Sequence, residues 1–328
     1  MRERALGVIR TAGGGTRLRP LTPGIPKPLI PLLNRPLLAY ALDLCASLGL
    51  TEAEVVVSGA HHGVAEAATR LAPAALTVSV ARQAEPRGPG DALASVGERL
   101  DGRRVVVIAV DTLIRGDLRP QLEAFQRSDA LAALPLQPTE RPREMGIAVL
   151  DGDRVLHLEE KPPRPRSNLA VVGVWMLAPD AVERVRRRPV INARGESDLT
   201  ATVAALLAEG GDVRGWTLDG EWLDTGSIAS LLDAQSRLLA DLSPTDVAAT
   251  GEGARVSGST LRGSVLIGAD AVVQDCELGP DVVVGEGAQL RAVRLNRVLV
   301  APGARLQDAT HGGVVVTASG EIGVATGT

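Results

Sequence analysis

The sequence predicts an α/β protein in two parts: a doubly wound, mostly parallel sheet over residues 1–243, then a short left-handed hexapeptide β-helix over 244–328. Three observations carry this. Apolar runs of strand length alternate with helix-period stretches through the first half. The β-branched run Arg104–Val110 reads as a central strand buried on both faces. Beyond Pro244, aliphatic residues recur every six positions.

Taken in order, Ala5–Ile9 is a first strand, followed by the glycine loop Gly13-Gly14-Gly15. Pro36 opens a helix whose Leu37, Ala41, Leu44 and Leu48 share one face, and Gly49 closes it. Glu54–Ser58 and Leu76–Val80 read as strands, with Val64–Leu71 a helix between them and Ala92–Leu100 a helix after them. The stretch Gly146–Val174 alternates as strands, and helices at 198–209 and 228–242 close the first part, the last ended by Ser243-Pro244. The six-residue period then runs through Leu261, Ile267 and Val273, through Leu278, Val284 and Leu290, and through Val300 and Leu306. Glycine follows several of these, as in Ile267-Gly268 and Val284-Gly285. Each coil of such a repeat buries one aliphatic per face and is unstable alone.

Composition narrows the functional class. The 328 residues leave room for more than one domain, and the net charge of −4, with acids and bases interspersed, argues against a nucleic-acid or membrane partner. No apolar stretch near the N-terminus has the length of a signal peptide or a membrane span, so a cytoplasmic protein is expected. Cys45 and Cys276 are far apart and read as packed, reduced thiols. Aromatic residues are only 2% of the chain, which leaves the core to Leu, Val and Ala.

The glycine loop offers bare backbone N–H groups, and Arg17 and Lys27 follow within a few residues. That is the composition of a phosphate cradle, and equally of an ordinary strand-to-helix turn. It lacks the Gly-Lys-Ser/Thr ending of a Walker loop and the completed Gly-x-Gly-x-x-Gly of a dinucleotide site. Asp111 comes directly after the buried run 105–110, where a carboxylate needs a cation or hydrogen-bond donors; a loop cap and a metal ligand both meet that need.

The run GVIRTAGGGTRLRPLTPGIPKPLIPLLNRP, residues 7–36, resembles the opening motif of the sugar-1-phosphate nucleotidyltransferases, and most of all the longer glucose-1-phosphate thymidylyltransferases. Asp111, Glu159-Glu160-Lys161-Pro162, Arg194-Gly195-Glu196 and Trp222-Leu223-Asp224-Thr225-Gly226 follow in that family's order, so the resemblance covers roughly residues 5–240. It implies a Mg²⁺-dependent transfer of a nucleotide from a nucleoside triphosphate, dTTP first, to a sugar 1-phosphate, glucose 1-phosphate first. By the same resemblance Arg17, Lys27, Asp111 and Asp224 are catalytic, the two aspartates as metal ligands. Ala12, Gly13, Gly14, Gly15, Thr16, Arg17, Gln83 and Gly88 would hold the nucleotide, with Gln83 reading the edge of the base. Gly146, Glu160, Lys161, Val172 and Arg194 would hold the sugar phosphate.

Three departures accompany the match. Relatives have Leu-Ala where this chain has Arg10-Thr11, commonly Asn where it has Thr112, and often Tyr where it has Met145. The first leaves a second reading open, a non-catalytic nucleotide-sugar-binding subunit of regulatory or scaffold kind. The β-helix suggests a homo-oligomer. Some hexapeptide β-helices are acyltransferases with a catalytic His; His311 is the one histidine in this part of the chain.

Overall fold

The computed structural model describes residues 5–11, 13, 15–59, 63–242 and 250–324. Ala12 and Gly14, expected in the nucleotide loop, lie outside the described residues, as does the expected helix stop at Ser243-Pro244. Contacts group the chain into two compact units, one of Met1–Gly13 with Leu38–Trp222 and one of Gly14–Leu37 with Leu223–Thr328. The N-terminal glycine-loop segment thus clusters with the C-terminal residues.

The first unit is built on ten strands: β1 Leu6–Arg10, β2 Glu52–Ser58, β3 Thr77–Gln83, β4 Val105–Ala109, β5 Ala132–Pro138, β6 Gly146–Asp151, β7 Arg154–Glu160, β8 Leu169–Val171, β9 Val174–Leu177 and β10 Val213–Thr217. Their order across the sheet is β8-β6-β7-β10-β5-β9-β4-β1-β2-β3. The four strands from β4 to β3 are parallel, as expected. Most of the rest corrects the expectation of a mostly parallel sheet: β9 runs antiparallel to both β4 and β5, and β6, β7 and β8 pair antiparallel, while β10 runs parallel to β5. The cause lies in the connections. A parallel pair needs a crossover of a dozen or more residues, whereas Asp151 and Arg154 flank a tight turn that only an antiparallel hairpin can use.

All five residues of β4 are buried, as their β-branched run implies. Helices Pro89–Ala94, Pro179–Arg187 and Leu199–Ala208 share one apolar cluster with these strands through Leu93, Val185 and Val203. Arg194-Gly195-Glu196 is the turn between the short paired strands Val190–Ile191 and Ser197–Asp198; the helix begins at Leu199 with Asp198 as its cap. A strand-to-strand bend at Gly173, φ 78°, positions the site. Before it, Ala170 pairs with Ile147 of β6; at it, the Gly173 carbonyl accepts the Ala109 N–H of β4. The bend therefore carries the start of β6 and the end of β7, paired as Gly146 with Glu160, toward the carboxyl end of β4.

In the second unit, helix Ile228–Ala240 opens on a capping box made by Ser227 and Ser230. The residues after 250 form three parallel ladders of short strands. Leu261 pairs with Leu278 and Leu278 with Leu295; Ile267 pairs with Val284, then Val300, then Val316; Val273 pairs with Leu290, then Leu306. The aliphatic positions of the six-residue period are thus the stacked, inward residues of the ladders, and most of them are buried in one cluster. Helix 228–240 packs on this stack, with Gln235 Nε2 donating to the carbonyls of Asp281 and Val298.

Among the described residues no helix is long and apolar enough to cross a membrane. Cys45 and Cys276 are both buried free thiols.

Candidate active site

In the second unit, the chain reaches Thr16–Leu18, one turn of 3₁₀ helix, through Gly15 at φ 53°. A side chain there would lie 2.5 Å from Thr22 Cγ2, so only glycine fits, and Thr22 Oγ1 donates to the Gly15 carbonyl at 3.1 Å. Arg17 and Thr16 are exposed, while Lys27 is half-buried on the segment beside Gly15. Asp224 ends strand Glu221–Asp224; its Oδ1 accepts the Gly226 N–H at 3.1 Å, which fixes the turn into helix 228–240.

In the first unit, Gln83 ends β3 and is 2% exposed. Its Nε2 donates to Asp91 Oδ2 at 2.6 Å, and its Oε1 is buried with no donor facing it. That oxygen is an acceptor unmet by the chain itself. Gly88, φ 99°, is required by packing: a Cβ there would fall 2.7 Å from the Ser197 carbonyl. Gly13 is half-buried, and nothing lies within 4 Å of the place where its Cβ would stand.

The first unit also holds a cavity of about 470 Å³, lined by Glu160, Lys161, Asn192, Arg194 and Asp198 among others. Three of the five expected sugar-phosphate residues, Glu160, Lys161 and Arg194, converge on it. A fourth, Gly146, sits against its wall, where a Cβ would meet Glu160 Oε2 and Thr200 Cγ2, each at 2.9 Å. Lys161 Nζ stands 3.7 Å from Glu160, and Arg194 pairs with Glu196 at 2.9 Å. Burial, and then the charge of Asp198, push the Glu160 carboxyl above the usual carboxylate range, with Lys161 opposing. Val172, the fifth, lies outside the cavity lining, and its carbonyl accepts the Thr112 hydroxyl at 2.7 Å. The residue that replaces the family's Asn is therefore buried and committed to backbone.

Asp111 follows β4 at the same level, and the Val110 N–H bonds the Arg10 carbonyl at 3.2 Å, which places the ends of β1 and β4 side by side. Among the described residues no three His, Cys, Asp or Glu side chains form a metal cluster. Asp111 and Asp224 offer carboxylate oxygens alone, the donor type that a small hard ion such as Mg²⁺ takes when substrate oxygens and water complete its shell. By the chemistry of their donors, these residues fit the ion.

Asp198 escapes sequence reasoning because its role is double. It caps helix 199–208 by accepting the Ala201 N–H at 2.9 Å, and it also lines the cavity. Nothing but its place ahead of an apolar helical stretch signals it.

A glycine turn in one unit and polar groups at strand ends in the other leave the class to the family match, which is that of a nucleotide-transfer enzyme. Residues 6–241 match the nucleotidyl transferase family model, and the chain belongs to that family. It is similar to a glucose-1-phosphate thymidylyltransferase of Streptomyces antibioticus, 32% identical over 297 residues that cover 86% of this chain and 83% of the relative. A Streptomyces griseus protein of the same name is 29% identical over 91% of this chain and 88% of its own length. A solved Bacillus anthracis structure, assigned as a glucose-1-phosphate thymidylyltransferase and bound to sucrose, superposes with a TM-score of 0.65 at 26% identity, covering 73% of this chain and 97% of that one.

Proposed function

We propose that the chain joins a nucleoside triphosphate, dTTP first, to a sugar 1-phosphate, glucose 1-phosphate first, giving a nucleotide sugar and pyrophosphate. The observation that carries this reading is the cavity on which Glu160, Lys161 and Arg194 converge, in a member of the nucleotidyl transferase family. The names of the Streptomyces relatives favour thymine and glucose. The orphan Gln83 Oε1 is in keeping with this, since thymine and uracil present a ring N–H and cytosine does not; guanine shares that feature.

The attacking group would be an oxygen of the sugar phosphate, ionised at neutral pH, so no general base or covalent nucleophile is needed. The task left to the protein is to neutralise and align two anions that repel. Arg17 and the amides about Gly13 and Gly15 would hold the departing pyrophosphate. Lys27 would steady the α-phosphate and Lys161 the sugar phosphate, with Arg194 beside it. Asp111 and Asp224 would hold Mg²⁺, which when bound supplies positive charge to the phosphate oxygens. Residues 1–243 would form the catalytic part. The ladders after 250 would form a left-handed β-helix whose role is assembly into a homo-oligomer, in a cytoplasmic enzyme. An acyltransferase role for those ladders is disfavoured, because His311 is the one histidine there and stands near the end of the stack.

The test is Mg²⁺-dependent pyrophosphate release with each nucleoside triphosphate against a panel of sugar 1-phosphates, read by product mass. One observation favours a second reading: a guanidinium, Arg10, places positive charge near Asp111. A chain that binds nucleotide sugar yet releases no pyrophosphate with any pair would be a regulatory or scaffold subunit instead.

A further inference from the structure

Arg194 lines the 470 Å³ cavity from the tip of a hairpin that has little to support it. The strands of this hairpin, Val190–Ile191 and Ser197–Asp198, are two residues long and form a sheet of their own. A lone two-stranded ribbon is marginal in water. Its base is anchored from outside: the Val190 N–H bonds Thr202 Oγ1 at 2.9 Å, and the Ser197 N–H bonds the Arg87 carbonyl at 2.7 Å. Two main-chain bonds close its tip, from the Asn192 N–H to the Glu196 carbonyl and from the Gly195 N–H to the Asn192 carbonyl, both 2.9 Å.

The rest of the tip is held by one side chain, that of Asn192, which also lines the cavity. Its Oδ1 accepts the N–H groups of Arg194 at 2.9 Å and of Glu196 at 3.1 Å. Its Nδ2 donates to Glu196 Oε2 at 3.2 Å, and that same oxygen pairs with the Arg194 guanidinium at 2.9 Å. One amide thus fixes the backbone of Arg194 and the acid that holds its head. Only an amide meets both needs, because donors face it on one side and a carboxylate on the other.

Arg194 is exposed, and a long exposed side chain loses rotamer freedom when it grips a ligand. Holding its backbone and its head beforehand lowers that cost. The pairing with Glu196 leaves room for a second anion, since a guanidinium carries five donors in a planar fork. Resting on the sugar-phosphate reading of the cavity, we infer that Asn192 is a positioning residue. It sets the 192–196 turn and, through Glu196, presents Arg194 to the phosphate of the sugar 1-phosphate.

Steady-state pyrophosphate release, with glucose 1-phosphate and dTTP varied in turn, tests this on the wild type, Asn192→Ala, Asn192→Ser, Arg194→Met and the variant carrying both Asn192→Ala and Arg194→Met. Arg194→Met should raise KM for glucose 1-phosphate about ten- to a hundredfold and Asn192→Ala about three- to tenfold, each with KM for dTTP nearly unchanged. Asn192→Ser should recover part of the loss, because a hydroxyl accepts in the same kind of turn more weakly. The double variant should be no worse than Arg194→Met alone, since Asn192 acts through that side chain. A full effect of Asn192→Ala in the Arg194→Met background would overturn the inference, as would an unchanged KM in Asn192→Ala, or equal rises for both substrates with a lowered melting curve. If Arg194→Met itself leaves KM for glucose 1-phosphate unchanged, or the wild type releases no pyrophosphate, the sugar-phosphate reading falls and takes the inference with it.

Discussion

The two units place polar side chains by different means. In the first, Gln83, Asp111 and Glu160 stand at or just past the ends of strands whose neighbours are fully buried, so a ten-stranded sheet sets their positions. In the second, Gly15, Arg17 and Lys27 lie on a segment of single turns and two-residue strands, too short to hold itself. What holds it comes from far along the sequence. Asn34 Nδ2 donates to the Val284 carbonyl at 3.0 Å, and Pro20 packs against the backbone at Gly323. A rigid sheet can carry reactive groups on its rim, whereas an irregular loop must borrow rigidity from a neighbour.

Substitutions can break or sharpen this contrast. The largest effect is expected at the reactive groups themselves: Asp111→Ala or Arg17→Ala should reduce pyrophosphate release by at least about 10²–10³-fold with an unchanged melting curve. Near-normal turnover in either would remove it from the catalytic set. Next, Leu290→Ala empties a fully stacked ladder position and should cost about 2–5 kcal/mol in denaturant unfolding. If the second unit behaves as a stack of coils, the loss will appear as an early transition confined to it. Asn34→Ala removes one bond, worth about 0.5–1.5 kcal/mol, and should raise KM for the triphosphate while sparing that for the sugar phosphate. Equal changes in both would mean that the ladder does not steady the loop.

A smaller effect is expected from Glu160→Gln. Because burial raises the carboxyl of Glu160, the folded state holds its proton more tightly than the unfolded state does. The stability so gained is full below the ordinary carboxylate value of about 4.3 and is lost as pH rises through the raised one. Glu160→Gln should therefore melt above the wild type at neutral pH, with the gap closing toward acid, even as sugar-phosphate affinity falls. Smallest of all, Cys45, whose thiol burial pushes up to about 12, should stay unmodified by a thiol reagent until the chain unfolds.

Much of this architecture is legible in the sequence because burial is periodic. Helix Val64–Leu71 falls where its pattern places it, and the aliphatics spaced by six become neighbours in the ladders, since each coil returns the chain over itself after 16 or 17 residues. The direction of strands is less legible. Gly146–Val174 reads as strands from its residues, but the antiparallel register follows from short turns and from the bend at Gly173. Glu160 and Lys161, which a motif marks, do line one cavity. Asp198 cannot be found from sequence, because a helix cap and a cavity wall look alike in one dimension. Arg10 stands out in the sequence as a charge at a strand end, and only the fold places its guanidinium carbon 5.2 Å from the centre of the Trp175 ring.

The hydrogen bond from Asn34 to Val284 spans 250 residues, and it has a consequence for synthesis. As the chain leaves the ribosome, the sheet of the first unit can assemble while the loop bearing Arg17 still waits for its anchor. The position of that loop would then be the last thing the protein acquires, and a chain cut short before Val284 would leave Asn34 without this acceptor.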